Sequence, residues 1–205
     1  MNEFFINPNR RELNERTLKE AIERLSIFCT DDDIKIYLGY QMKIYKYSEL
    51  DNVVDITHIL PTEKSCCIIL IENEKNSGHF VSLGRKNNKI IQFDSYGSTI
   101  DYELKFIPNM MLNILGEQRN TVKNLIERSG LETIHNKTRY QNTKKVFGYD
   151  SNICGRACII FCQLLMLNYS LEEMKEFIDY KKYEYENLFD VESLPYDIVF
   201  SLLVR

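Results

Sequence analysis

Three short stretches carry the side chains that could do chemistry. Gly78-His79-Phe80 opens an apolar run with a histidine, and Phe93-Asp94-Ser95-Tyr96-Gly97 ends the next such run with an acid. Ser151-Asn152-Ile153-Cys154-Gly155-Arg156 places a thiol just after residues suited to capping a helix. An imidazole titrates near neutral pH and can take the proton of a thiol. A buried carboxylate beside that imidazole fixes its tautomer and stabilises the imidazolium form. A cysteine in the first turn of a helix meets unpaired amides and the positive end of the helix dipole, and both favour thiolate. Gly155 is a poor helix former, so its place there implies that something approaches the backbone closely. Each residue alone also has a plain structural reading: a strand histidine, a turn-opening aspartate, a buried cysteine. Jointly, His79, Asp94 and Cys154 read as base, orienting acid and nucleophile.

These residues need a particular frame. Cys66–Ile71, Phe80–Leu83 and Lys89–Phe93 read as strands, with Asn73–Gly78 and Arg85–Asn88 as the turns of an antiparallel meander. The short 85–88 turn lets two neighbouring strands bring His79 and Asp94 side by side. Helical spacing predicts helices over 11–28, 102–115, 121–129, 153–167, 171–180 and 196–204. The acidic run Asp31–Asp33 reads as a turn. Strands in the middle with helices on either side make an α+β domain: a small, mostly antiparallel sheet flanked by helices, with the nucleophile at a helix N-terminus. No repeat or linker divides the 205 residues, so a single domain is expected, with residues 1–42 as an N-terminal helical extension.

Composition narrows the classes. Hydrophobic residues make up 44% and charged residues 27%, which excludes a largely disordered chain. A net charge of −4 argues against a general nucleic-acid binder, which needs a basic surplus. The longest apolar stretch, Cys158–Leu167, is interrupted by Gln163 and is too short to span a bilayer. The N-terminal residues lack the apolar run of a signal peptide, so a soluble, non-secreted protein is expected. The six cysteines include no CxxC pair, and Cys154, Cys158 and Cys162 share one helix face at a spacing unlike zinc or cluster sites. That usage fits a reducing compartment, with no metal expected.

The order His, Asp, then Cys-Gly resembles the adenain-like cysteine proteases: the adenovirus maturation protease, the SUMO-specific proteases, and the capsid-maturation proteases of virophages, Polinton-type elements and large DNA viruses. The likeness is greatest to the last branch. GHFVSLGRKNNKIIQFDSYGSTID resembles its histidine strand, turn and acid strand, NICGRAC its nucleophile motif, and IYKYSELDNVVDITHILP the segment leading into the sheet. The resemblance spans residues 43–165. It departs at Phe80, where family members have tryptophan, and at Gln141, whose distance from Cys154 requires Lys144–Asp150 to be an inserted loop.

The resemblance implies a papain-like fold of the adenain type and a cysteine endopeptidase with His79, Asp94 and Cys154 as catalytic residues. Gln141 and the Cys154 backbone N–H would form the oxyanion hole, with Asn142 and Asn152 as rival amide donors. Gly78, Phe80 and Gly155 are candidates for the substrate cleft. The implied substrates are polypeptides, namely viral capsid precursors cut near glycine, in a host-cell virus factory or virion. No cofactor is implied, and an activating peptide or DNA is left open. Rival functions with the same residue order are a ubiquitin-like-protein protease and a protein acetyltransferase.

Overall fold

The computed structural model describes residues 8–204, and its central element is β2 (Cys66–Glu74). The apolar run Cys-Cys-Ile-Ile-Leu-Ile is continuous because both faces of this strand are covered. Ile68 and Leu70 face one core, while Cys67, Ile69 and Ile71 face another. β3 (Ser77–Lys86) and β4 (Lys89–Phe93) continue the sheet antiparallel to it. Asn87 and Asn88 both adopt positive φ between Lys86 and Lys89, the geometry of a two-residue hairpin that matches strand twist.

Two further strands extend this meander in parallel. β1 (Ile44–Lys46) pairs with β2, and β5 (Glu132–His135) pairs with β4, giving the order β1-β2-β3-β4-β5. The sheet is therefore mixed, within the α+β class expected.

One face is covered by α6 (Cys154–Met166), nearly every residue of which is buried. Around it lie α1 (Pro8–Glu23), α2 (Asp31–Leu38), α7 (Leu171–Phe189) and α8 (Tyr196–Leu203). The other face carries α3 (Ile100–Glu103), α4 (Asn109–Leu115) and α5 (Thr121–Ser129). Phe161 of α6 stacks on Phe93 at 4.8 Å between centroids, tying the buried helix to the end of β4. Each large apolar side chain buried this way is worth about 1.5–3 kcal/mol.

Several expectations are corrected. The helix expected over 102–115 is broken, because Pro108 disfavours helical backbone at Ile107, which is extended. The Asp31–Asp33 run is no turn. It is the first turn of α2, with Thr30 and Asp33 capping each other reciprocally. The 11–28 helix ends sooner: α1 stops at Glu23 and a single tight turn follows over Arg24–Ser26. The helix expected over 171–180 runs on to Phe189. Within residues 1–42, the described part is stitched to the rest of the fold. Ser201 donates to Ala21 O, and Asn152 donates to Leu25 O and Ser26 O.

Candidate active site

The ladder positions the imidazole. In the β2–β3 register Gly78 opposes Glu72 and His79 opposes Ile71. A Cβ on Gly78 would lie 1.9 Å from Ile71 O, so only glycine lets β3 start its pairing there. In the β3–β4 register Ser82 opposes Phe93. One step further puts Asp94 across from Val81, two residues from His79 on the same face. Such diagonal neighbours are within side-chain reach. His79 Nε2 and Asp94 Oδ1 meet at 2.7 Å, with Asp94 fully buried.

The acid is held from three sides. Tyr96 N–H donates to Asp94 Oδ1 at 3.0 Å. Asn136, directly after β5, accepts from Asp94 N–H and donates to Asp94 O at 2.9 and 2.7 Å. Tyr96 also lays its ring on the imidazole, with centroids 4.9 Å apart. With Nε2 engaged by Asp94, Nδ1 is the ring nitrogen free to face a thiol.

That thiol is Cys154, which lies close enough to His79 and to the Phe80 and Gly155 N–H groups for all three to lower its pKa. The expected caps are absent from α6. Ile153 is the capping residue and makes no side-chain bond, while Ser151 donates to Asp197 and Asn152 to Ser26 O. The reason is that both side chains are claimed by distant elements, which leaves the first-turn amides to the sulfur. Burial would raise the Cys154 pKa, but His79 and these amides more than offset it and hold it below the usual thiol value. Burial likewise would lower the His79 pKa, yet Asp94 and Cys154 hold it up at about 10. The arrangement favours a thiolate–imidazolium pair. The neighbouring thiols behave oppositely: burial raises Cys29 to about 12 and pushes Cys158 and Cys162 well above the ordinary value. Cys66 is lowered by a bond from Cys162.

Gln141 is buried and bridges the segments that carry the acid and the thiol. Its Nε2 donates to Ser151 O at 2.5 Å and its Oε1 accepts from Ser95 Oγ at 2.7 Å. The bond to Ser151 spans the loop of residues 142–150, which turns back through Phe147 and Gly148 at positive φ. The rivals are committed elsewhere: Asn142 Nδ2 donates to Asp197 Oδ2 at 2.6 Å, and Asn152 Nδ2 to Ser26 O at 3.0 Å.

Gly78 and Phe80, which flank His79 in sequence, line an open groove of about 540 Å³ together with Cys29, Tyr45, Lys46 and Leu70, a lining that includes neither His79 nor Cys154. The close approach that Gly155 permits is made by this chain's own Cys29, whose Cβ lies 2.5 Å from where a Gly155 Cβ would be.

Sequence reasoning missed Asn136, Tyr96, Ser95 and Asp197. Buried Asp197 accepts from Asn142 N–H, Asn142 Nδ2 and Ser151 Oγ, so it anchors both ends of the Gln141 loop. The Asp94-Ser95-Tyr96 stretch was in view as the acid motif. The single-residue signal of Asn136 and Asp197 was nil.

Among the described residues no helix is long and apolar enough to cross a membrane. No protein-family model matches the chain. It is similar to "Uncharacterized protein V9" of the Sputnik virophage, 28% identical over 163 residues that cover 79% of this chain and 89% of that protein.

Proposed function

We propose that the chain is a cysteine endopeptidase of the adenain type, with Cys154 as nucleophile, His79 as base and acid, and Asp94 as the group that orients the ring. One observation carries this reading: a thiol at an uncapped helix N-terminus lies near enough to an imidazole to have its pKa lowered by it, and that imidazole's Nε2 is held 2.7 Å from a fully buried carboxylate. A structural cysteine needs none of these three features.

In the reaction His79 Nδ1 holds the proton that leaves Cys154. The Sγ lone pair bonds to the scissile carbonyl carbon, and the carbonyl π electrons move onto oxygen. The donors assigned to that oxyanion are the Cys154 N–H and the second N–H of Gln141 Nε2, whose first N–H is taken by Ser151 O. Collapse breaks the C–N bond as the Nδ1 proton passes to the leaving amine. Water then loses a proton to His79, adds to the thioester carbon and expels the Cys154 thiolate. Asp94 steadies the imidazolium throughout without taking its proton.

Similarity to a virophage protein supports virus-encoded precursors as the substrates. The test is to incubate the purified chain with the structural proteins of its own source and map new termini by mass spectrometry. Cleavage by the wild type and none by Cys154→Ser supports the reading. Identical termini in both samples would sink it, and transfer of acetyl from acetyl-coenzyme A to added protein would replace it with the acetyltransferase reading.

A further inference from the structure

A second carboxyl group sits beneath the His79–Asp94 pair. Glu103, the last residue of α3, brings a carboxylate oxygen into a cluster with His79 and Asp94 in which all three ligand atoms lie within 4.8 Å of one another. Asp94 uses Oδ1 for both His79 Nε2 and Tyr96 N–H. Its Oδ2 is buried and has no conventional donor. An acceptor left bare in a fully buried carboxylate is costly, by about 1–3 kcal/mol or more for a charged group. Asp94 and Ser98 are the side chains near enough to Glu103 to bear on its carboxyl, with a Glu103 oxygen inside the 4.8 Å cluster. Two ionised carboxylates at this separation repel, whereas one carboxylic acid and one carboxylate share a proton favourably.

We propose that Glu103 is a positioning residue that donates its carboxylic proton to Asp94 Oδ2, so that a carboxyl–carboxylate pair, not a lone aspartate, holds the His79 ring. This rests on the proteolytic reading of the site. The electrostatics agree. Burial first, then the neighbouring Asp94 charge, raises the Glu103 pKa to about 7, while His79 and Ser98 pull it down. The charged or titratable groups facing it are Asp94 from the end of β4, His79 from β3 and Tyr96 from the following turn. Because this folded value lies above the ordinary 4.5, the donor is present at lower pH and is lost as pH rises through about 7. Glutamine at this position would keep an N–H donor at every pH and carry no charge.

The experiment has two arms on the full chain. In the first, carbon NMR of the glutamate carboxyls follows Glu103 with pH in the wild type and in Asp94→Asn. We expect a midpoint near 7 in the wild type and a lower one in Asp94→Asn, where the like charge is gone. In the second, iodoacetamide labelling of Cys154 is read against pH by peptide mass spectrometry. The wild-type rate should fall severalfold through that same midpoint, Glu103→Gln should be flat across it, and Glu103→Ala should be severalfold slower than the wild type below the midpoint with no step of its own. A merely structural role would not move the midpoint or be rescued by glutamine. Glu103 titrating in the ordinary carboxylate range, or Gln and Ala profiles superimposing on the wild type, overturns the proposal. Failure of Cys154 to label selectively in the wild type instead overturns the protease reading, and the carboxyl pair is then decided by its carbon titration alone.

Discussion

The two arms of the candidate site are built by different means. The β3–β4 arm carries His79 and Asp94 and is set mainly by backbone ladders and a two-residue Asn87-Asn88 hairpin, with Asn136 after β5 fixing the acid just beyond the ladder. The other arm, residues 140–154, carries Gln141 and Cys154 and borrows its shape from side chains elsewhere. Tyr140 and Gln141 N–H groups both reach Ser95 O, Asp197 of α8 anchors Asn142 and Ser151, and Asn152 is tied to Leu25 and Ser26. The first arm is local and repetitive, so one residue's loss is shared along the ladder. The second depends on single long-range bonds, so individual deletions should displace it.

That contrast can be broken most severely at its meeting point. His79→Ala should lower peptide turnover by about 10⁴-fold and slow Cys154 labelling near neutral pH, because it removes both base and counter-ion. Peptide cleavage assays with parallel mass-spectrometric labelling check this, and a turnover loss below tenfold would falsify the assignment.

Next in size is Gln141→Ala. It should reduce kcat by about 10²- to 10³-fold with KM nearly unchanged, since the oxyanion bond is complete only in the transition state. Asn152→Ala serves as the control. It loses a bond to Ser26 O and should leave turnover within a few fold, so a silent Gln141→Ala beside a dead Asn152→Ala reassigns the donor.

Asp197→Asn tests the borrowed arm directly. Turning one acceptor oxygen into an N–H donor among three donors should cost about 1–3 kcal/mol of unfolding free energy. It should also lower kcat more than Asn136→Ala, a second buried position, lowers it if the loop arm is the more fragile. Urea unfolding with paired kinetics gives the comparison, and equal kinetic losses would erase the distinction drawn between the arms.

The smallest effect is a slope. A normal thiol labels about tenfold faster per pH unit below its pKa. Cys154 is held below the ordinary 9.0 and His79 up at about 10. The imidazolium therefore persists until pH rises through that value, and the thiolate is already formed at lower pH. The Cys154 rate should show far less than this tenfold rise per unit toward pH 9, apart from any step set by Glu103. Cys158, fully buried, should stay unlabelled until the chain unfolds, and Cys29, half-buried on the groove with its thiol raised to about 12, should label far more slowly than Cys154. A tenfold rise per unit at Cys154 across this interval would remove the ion pair.

Legibility in the sequence followed the same division. β2, β3 and β4 were readable because apolar runs and turn residues mark them, and α5 and α6 because helical spacing is complete. β5 was not readable: Glu132–His135 is a largely exposed edge strand whose side chains carry no alternation, so only its pairing with β4 reveals it. Yet that strand delivers Asn136 to the acid. The cap expected from Ser151 or Asn152 failed for a related reason, since both side chains find distant partners that no local pattern announces. Gly155 was correctly marked as a point of close approach, but the approaching group, Cys29, lies far away in the chain.

By itself the sequence singled out His79, Asp94 and Cys154 as candidates for the site, and it gave the α+β class of the frame. Residue type and short-range periodicity are properties of a chain segment, and they survive without knowing its neighbours. Only the tertiary structure decided that Nε2 of His79 takes Asp94 and leaves Nδ1 as its other ring nitrogen, that the first turn of α6 has no side-chain cap, and that a Glu103 carboxyl comes to lie near Asp94 and His79. Those outcomes depend on burial and on contacts between segments distant in sequence, and burial turns an ordinary carboxyl or thiol into one whose proton is placed by its surroundings.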